Sequence, residues 1–209
     1  MPTAIFFDSE TTGIPLWKEP SEHPDQPHIV QLAAELVDLD TREVLESMDV
    51  IVKPDGWTIT EEMAAIHGIT QEYAMEVGIP EKDAISQLLA MRAKTSLRIA
   101  HNRTFDDRIV RIGLKRYFDT PDNEPAPEGH VQPSEAWKDG EGYCTCYSSR
   151  ALCALPKNKL PTLEEAHLAL VGVALEGAHN AMNDTRGCKA VYFAIADAAC
   201  TDSAPKASA

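Results

Sequence analysis

The chain has 209 residues, 44% of them hydrophobic, enough to bury a core, and 25% charged. Its formal net charge of −14 argues against a protein that coats nucleic acid through a uniformly basic surface. No apolar run approaches the roughly 18 residues of a membrane-spanning helix.

Residues 3–8 read as a short apolar strand. No basic stretch leads into an apolar one ahead of it, so a cytoplasmic protein is expected. Residues 14–28 hold four prolines and no periodicity, and form a loop. Residues 29–38 and 43–53 read as strands joined by a turn at 39–42. Thr60 precedes Glu61, Glu62 and Met63 as a helix N-cap with acids in the first turn. Pro80 opens a helix to about Lys94, with Ala84, Leu88, Leu89 and Met91 as its apolar face. A strand at 97–100 follows, and then a helix to about Phe118, capped by Asn102 or Thr104, with Phe105, Ile109 and Ile112 in its stripe.

Residues 119–142 break the pattern with four prolines, three glycines, seven acids and one lysine, and read as an acidic insertion expected to be mobile. A short strand is expected at 143–147, helices near 147–154 and 162–171, a last helix at 181–199 and a disordered tail at 199–209. The order of elements is that of an α/β domain on a mixed sheet. The five cysteines lack the C-x-x-C or Cys/His spacing of a zinc site and read as reduced, mostly buried thiols.

The acids carry the functional signal. Asp8 and Glu10 stand one residue apart where an apolar strand ends, so they share a face if the strand persists, and they repel each other away from water. Asp184 heads a stripe continued by Cys188, Val191, Tyr192 and Ile195. The cations near it in sequence, Arg186 and Lys189, lie off that stripe. Asp106 lies in the first turn of a helix just past a strand, the edge where sites collect in α/β folds. Hard divalent cations bound by carboxylates answer all three features, and two such ions activate water and stabilise a leaving oxygen in phosphoryl chemistry. His179, five residues before Asp184, stands where a base is needed. Residues 92–116 carry eight lysines and arginines against Asp106 and Asp107, a local basic excess in an acidic chain.

The stretches D-S-E-T-T-G at 8–13, H-N-R-T-F-D at 101–106 and H-N-A-M-N-D at 179–184 resemble, in order and spacing, the three motifs of the DEDD exonuclease superfamily. The H-x-A-x-x-D form of the third resembles the histidine-containing (DEDDh) branch, which includes the epsilon proofreading subunit of bacterial DNA polymerase III, RNase T and the TREX exonucleases. A-A-I-H-G-I-T at 64–70 looks like a segment of epsilon-like members. The resemblance covers roughly residues 3–198 and implies one exonuclease domain over 1–198 with a ribonuclease H-like fold, a central mixed five-stranded sheet flanked by helices.

It also implies 3′→5′ release of nucleoside 5′-monophosphates with two Mg²⁺ or Mn²⁺ ions. Asp8 would bridge the ions, Glu10 and Asp184 would hold the one that binds the attacking water, Asp106 would stand on the side of the second, and His179 would take the water's proton. Thr11, Thr12 and Gly13 would lie beside the terminal nucleotide, Asn102 and Phe105 would support the second motif, and His67 would be structural or a rim contact. The expected partner is the 3′ end of single-stranded DNA or, as the alternative, RNA, as in RNase T or oligoribonuclease. A polymerase partner has no support beyond the faint clamp-like string Q-L-L-A-M at 87–91. A haloacid dehalogenase-like phosphatase would need D-x-D-x-T where this chain has D-x-E-T-T. An inactive nucleic-acid-binding module sits poorly with the presence of all five key residues.

Overall fold

The computed structural model describes residues 1–120, 124 and 129–202. Its elements in chain order are β1 (Thr3–Thr11), β2 (Ile29–Asp38), β3 (Val44–Ile51), α1 (Glu61–His67), α2 (Gln71–Val77), α3 (Glu81–Arg92), β4 (Leu97–Ala100), α4 (Thr104–Tyr117), α5 (Pro133–Ala136), β5 (Glu141–Cys144), α6 (Thr145–Cys153), α7 (Leu163–Val171) and α8 (Ala181–Asp202). The five strands form one sheet in the order β3-β2-β1-β4-β5. β1 runs antiparallel to β2 and parallel to β4, β2 is antiparallel to β3, and β4 is parallel to β5. The mixed five-stranded sheet is as expected.

Both faces of the sheet are covered, which is why β2 is buried at every position rather than at alternate ones. Ile5 and Phe7 point to one face and pack under α3 and α4, with Ile85, Leu88, Ile109 and Ile112. Ala4 and Phe6 point to the other and meet Cys188 of α8, with Tyr192 and Phe193 beside them. Alternation along β1 therefore assigns Asp8 and Glu10 to the α8 face and Ser9 to the α4 face. The turn between β2 and β3 closes on Asp38, whose Oδ1 accepts from the amides of Asp40 and Thr41 at 2.8 and 3.0 Å.

Several expected boundaries shift. β1 continues to Thr11 because its polar end stays paired with β2, Glu10 opposite Gln31 and Thr11 opposite Ile29. Helix α2 was not anticipated; at seven residues it is too short to show a period, and Thr70 caps it by accepting from the Tyr73 amide. Neither Asn102 nor Thr104 caps α4 through its side chain; the cap position is Arg103. The strand expected at 143–147 is β5, and Thr145 already opens α6. The last helix runs on to Asp202, three residues past its expected end. Within the acidic segment, α5 is anchored: Asp119 accepts from the amide and hydroxyl of Ser134 at 2.9 and 2.5 Å, and Trp137 is 2% exposed against Phe7. Residues 121–123, 125–128 and 203–209 of the acidic segment and tail lie outside the described residues. Among the described residues Cys144, Cys146, Cys153 and Cys188 form no disulfide, and no helix is long and apolar enough to cross a membrane.

Candidate active site

The sheet delivers the acids to the C-terminal ends of β1 and β4. Asp8, Glu10 and Asp184 each offer a carboxylate oxygen within 4.8 Å of the others. Asp184 reaches the group because α8 starts against β2, where the Ala181 amide donates to Gln31 Oε1 at 3.0 Å and Gln31 is held in turn by Asp49 at 2.7 Å. Gln31 escaped the sequence reading; a buried glutamine opposite the acid-bearing end of β1 was the available signal.

Asp106 approaches from the other side. It is 2% exposed, and Ser9 Oγ donates to its Oδ1 at 2.8 Å. It stands outside the close trio of carboxylates but near enough to Asp8 to raise it by repulsion. Ser9, also missed, is a polar residue on the inward face of a buried strand and orients the fourth acid from there.

All four carboxyls are pushed up. Burial and the neighbouring charges of Asp106, Asp184 and Glu10 raise Asp8 well above its ordinary value. Burial and Asp184 raise Glu10 to about 7, burial raises Asp106 to about 8, and burial raises Asp184. Asp184 Oδ1 is buried without a hydrogen-bond partner. Arg186 and Lys189 do not neutralise the group, since both turn to Glu35 on β2. Four crowded carboxyls, one with an orphaned oxygen and none in an ion pair with a lysine or arginine among the described residues, make a donor set that fits hard divalent cations.

His179 sits just ahead of α8 with a left-handed backbone, φ +63°, a conformation that costs a non-glycine residue about 1–3 kcal/mol. Its amide donates to Asp184 Oδ2 at 3.1 Å, which holds the turn. The ring is exposed, carries no hydrogen bond among the described residues, and its charge acts on both Glu10 and Asp184.

A cleft of about 500 Å³ opens beside Glu10, lined by Thr11, Gly13, Ile14, His67 and Phe105 among others. Thr11 Oγ1 donates to the Gly13 carbonyl at 2.7 Å, and Thr12 Oγ1 accepts from the His28 amide at 3.0 Å. His67 is 7% exposed; its Nδ1 accepts from the Ile69 amide at 3.2 Å, and its Nε2 has no partner. Asn102 takes a left-handed backbone, φ +60°, and its carbonyl accepts from the Phe105 amide at 2.9 Å. His101 is bound by Thr145 at 2.9 Å and the Pro161 carbonyl at 3.1 Å, tying the end of β4 to α6.

The sequence profile of the RNase T exonuclease family matches residues 5–192. The chain belongs to this exonuclease family. Its ribonuclease H-like fold matches solved structures of exonuclease I. E. coli exonuclease I in complex with a dA16 oligonucleotide aligns at a TM-score of 0.70 and 24% identity, over 94% of this chain and 41% of that one. The complex with dT13 gives 0.69 and 24% over the same shares. Product-bound exonuclease I gives 0.68 and 22%, over 94% and 44%. This member of the family thus spans less than half the length of exonuclease I. No curated relative matches it in sequence.

Proposed function

We propose that this chain hydrolyses phosphodiester bonds from the 3′ end of single-stranded nucleic acid, DNA in preference to RNA, releasing nucleoside 5′-monophosphates. The observation that carries the reading is the convergence of Asp8, Glu10 and Asp184 within 4.8 Å beside the free ring of His179. The same fold in exonuclease I is found in complex with dT13 and dA16 oligonucleotides.

In this reading Asp8, Glu10 and Asp184, with Asp106 on the far side, hold two divalent cations, Mg²⁺ or Mn²⁺. Such ions, when bound, supply Lewis-acid activation of water and charge stabilisation at the leaving oxygen. His179 takes a proton from the water that attacks the terminal phosphorus. The P–O3′ bond breaks, and the 3′ oxygen stays with the shortened strand. The strained turn at His179 places the imidazole beside the carboxylates without tying up either ring nitrogen. Thr11, Thr12, Gly13 and Phe105 border the terminal nucleotide, and His67 lines the cleft wall. Asn102 holds the turn that leads into α4.

The test is digestion of a 5′-labelled single-stranded DNA and its RNA twin with Mn²⁺ and with EDTA. A metal-dependent ladder from the 3′ end is expected, faster on DNA. His179→Ala is expected to slow it about 10²–10⁴-fold, the usual share of a general base. Absence of a ladder on both strands would refute the reading, and a faster ladder on RNA would replace DNA by RNA as the substrate.

A further inference from the structure

A second cleft, of about 420 Å³, lies on the flank of α4 facing β5. Arg98, Arg103, Arg108, Arg111 and Lys138 line it, with Trp17 and Trp137. Among the described residues the carboxylates bonded to these five cations are Asp107, by Arg98 and Arg103, and Glu135, by Arg111 and Lys138, with Asp139 acting on Arg98 from farther off. Among the described residues Arg108 donates to the neutral Glu19 carbonyl alone, at 2.5 Å, with Glu22 acting on it from farther off. The Nε atoms of Arg98, Arg103, Arg108 and Arg111 are all buried without a hydrogen-bond partner, and Arg98 as a whole is 3% exposed. In a chain of net charge −14, this is a concentrated and under-satisfied positive site. The backbone accommodates it: a Cβ on Gly142 would stand 2.4 Å from Arg103 Cζ, so only glycine leaves the guanidinium its place over β5.

The cleft adjoins the carboxylate site. Gly13 and Ile14 line the cleft beside Glu10, and Trp17 of the same loop lines the basic one. Phe105 borders the first and its neighbour Thr104 the second. Anything longer than one nucleotide that leaves the carboxylates across the start of α4 meets these arginines. Trp17 is 52% exposed, an aromatic face open to an unpaired base and useless to a stacked duplex.

We propose that the basic cleft is the track of the single strand upstream of its 3′ end, with Arg103, Arg108 and Arg111 on backbone phosphates and Trp17 stacked on a base. The inference rests on the exonuclease reading above, and binding is measured apart from cleavage to separate the two. Fluorescence anisotropy of labelled dT12 and dT2 in EDTA reads the track directly. Relative to the parent, the double variant Arg108→Gln/Arg111→Gln and the single variant Trp17→Ala are each expected to weaken dT12 about tenfold and dT2 less than twofold. The double glutamine variant is expected to flatten the salt dependence of dT12 binding by about 1.4, at about 0.7 for each phosphate no longer neutralised. Arg108→Lys/Arg111→Lys should restore that slope. Unchanged dT12 affinity and salt slope in both the glutamine and Trp17 variants would overturn the track, even if the parent degrades dT12. Arginine-dependent binding by a parent that cleaves nothing with Mn²⁺ would uphold the track and sink the exonuclease reading.

Discussion

Asp8→Asn is expected to abolish hydrolysis and yet to raise the melting temperature of the metal-free protein at pH 8. The first effect follows from removing the acid on which the charges of the other three all act. On the proposed two-cation reading, losing an acid that would hold the ions removes several kcal/mol of transition-state stabilisation, about 10³-fold or more in rate. The second follows from the direction of the pKa shifts. Asp8, Glu10, Asp106 and Asp184 are all raised in the folded chain, Glu10 from 4.5 to about 7 and Asp106 from 3.8 to about 8. The folded state therefore holds protons that the unfolded state has already released. Stability is fullest below the ordinary carboxyl values and is lost as pH rises through about 7 and then about 8. An amide at position 8 removes one of the repelling charges. A gain of about 1–3 kcal/mol would lift the melting point by about 2–12 °C for a chain of this size.

Divalent cation should do for the parent at pH 8 what the amide does for the variant, since a ligand that binds only the folded state stabilises it by about 2.7 kcal/mol at 100 times its dissociation constant. Melting curves of parent and variant at pH 5 and 8, with EDTA and with Mn²⁺, check this. A parent equally stable at both pH values and indifferent to the ion would contradict the reading of the four acids as a cation site.

Glu81→Ala is expected to be the costliest single change away from the site, about 3–5 kcal/mol, because it leaves a buried charge without its partner. Glu81 is 5% exposed. Its Oε1 accepts from the Ile29 amide at 2.9 Å, and its Oε2 meets His28 Nδ1 at 2.7 Å, the Tyr117 hydroxyl at 2.9 Å and Arg116 at 3.2 Å. Arg116 goes on to the carbonyls of Gln26 and Pro27 at 3.0 and 3.3 Å. One carboxylate thus fastens α3, the end of α4 and the entry to β2. Burial alone would push Glu81 up, but the His28 hydrogen bond and the Arg116 charge hold it below its ordinary value, the reverse of Asp8, Glu10, Asp106 and Asp184. Its contribution is present above the ordinary value of 4.5 and is lost as pH falls through the depressed one. Urea denaturation at pH 7 measures the loss, which against a typical total of about 5–15 kcal/mol is a large fraction. A cost under about 1 kcal/mol would mean the cluster behaves as a surface pair.

The two networks explain what was legible in the sequence. Strands and long helices were readable because their apolar spacing is local: L-R-I-A at 97–100 and the stripe through Ile109 and Ile112 land where expected. The acids were readable as anomalies, since carboxylates at the head of buried stripes demand an explanation. Long-range pairing was not. Nothing local announces that Ser9 serves Asp106, 97 residues on, or that Gln31 receives Ala181, 150 residues on. The basic run at 92–116 reads as one patch, but the fold divides it: Arg116 goes to Glu81 and Lys94 to Glu46, while Arg98, Arg103, Arg108 and Arg111 meet in one cleft. Trp137 sits in a segment whose composition reads as solvent-facing. Its indole nevertheless reaches Asp107 at 3.0 Å and closes the core over Phe7.

β1 is the middle strand, paired with β2 from Thr3 to Thr11 and with β4 over Ala4–Phe6. Amides in such a position exchange with solvent through global unfolding rather than through local fraying. Asp8 and Glu10 continue from that doubly paired stretch and are themselves paired with β2, opposite Ala33 and Gln31. Exchange of the Ala4–Phe6 amides therefore times the collapse of the sheet on which both acids stand.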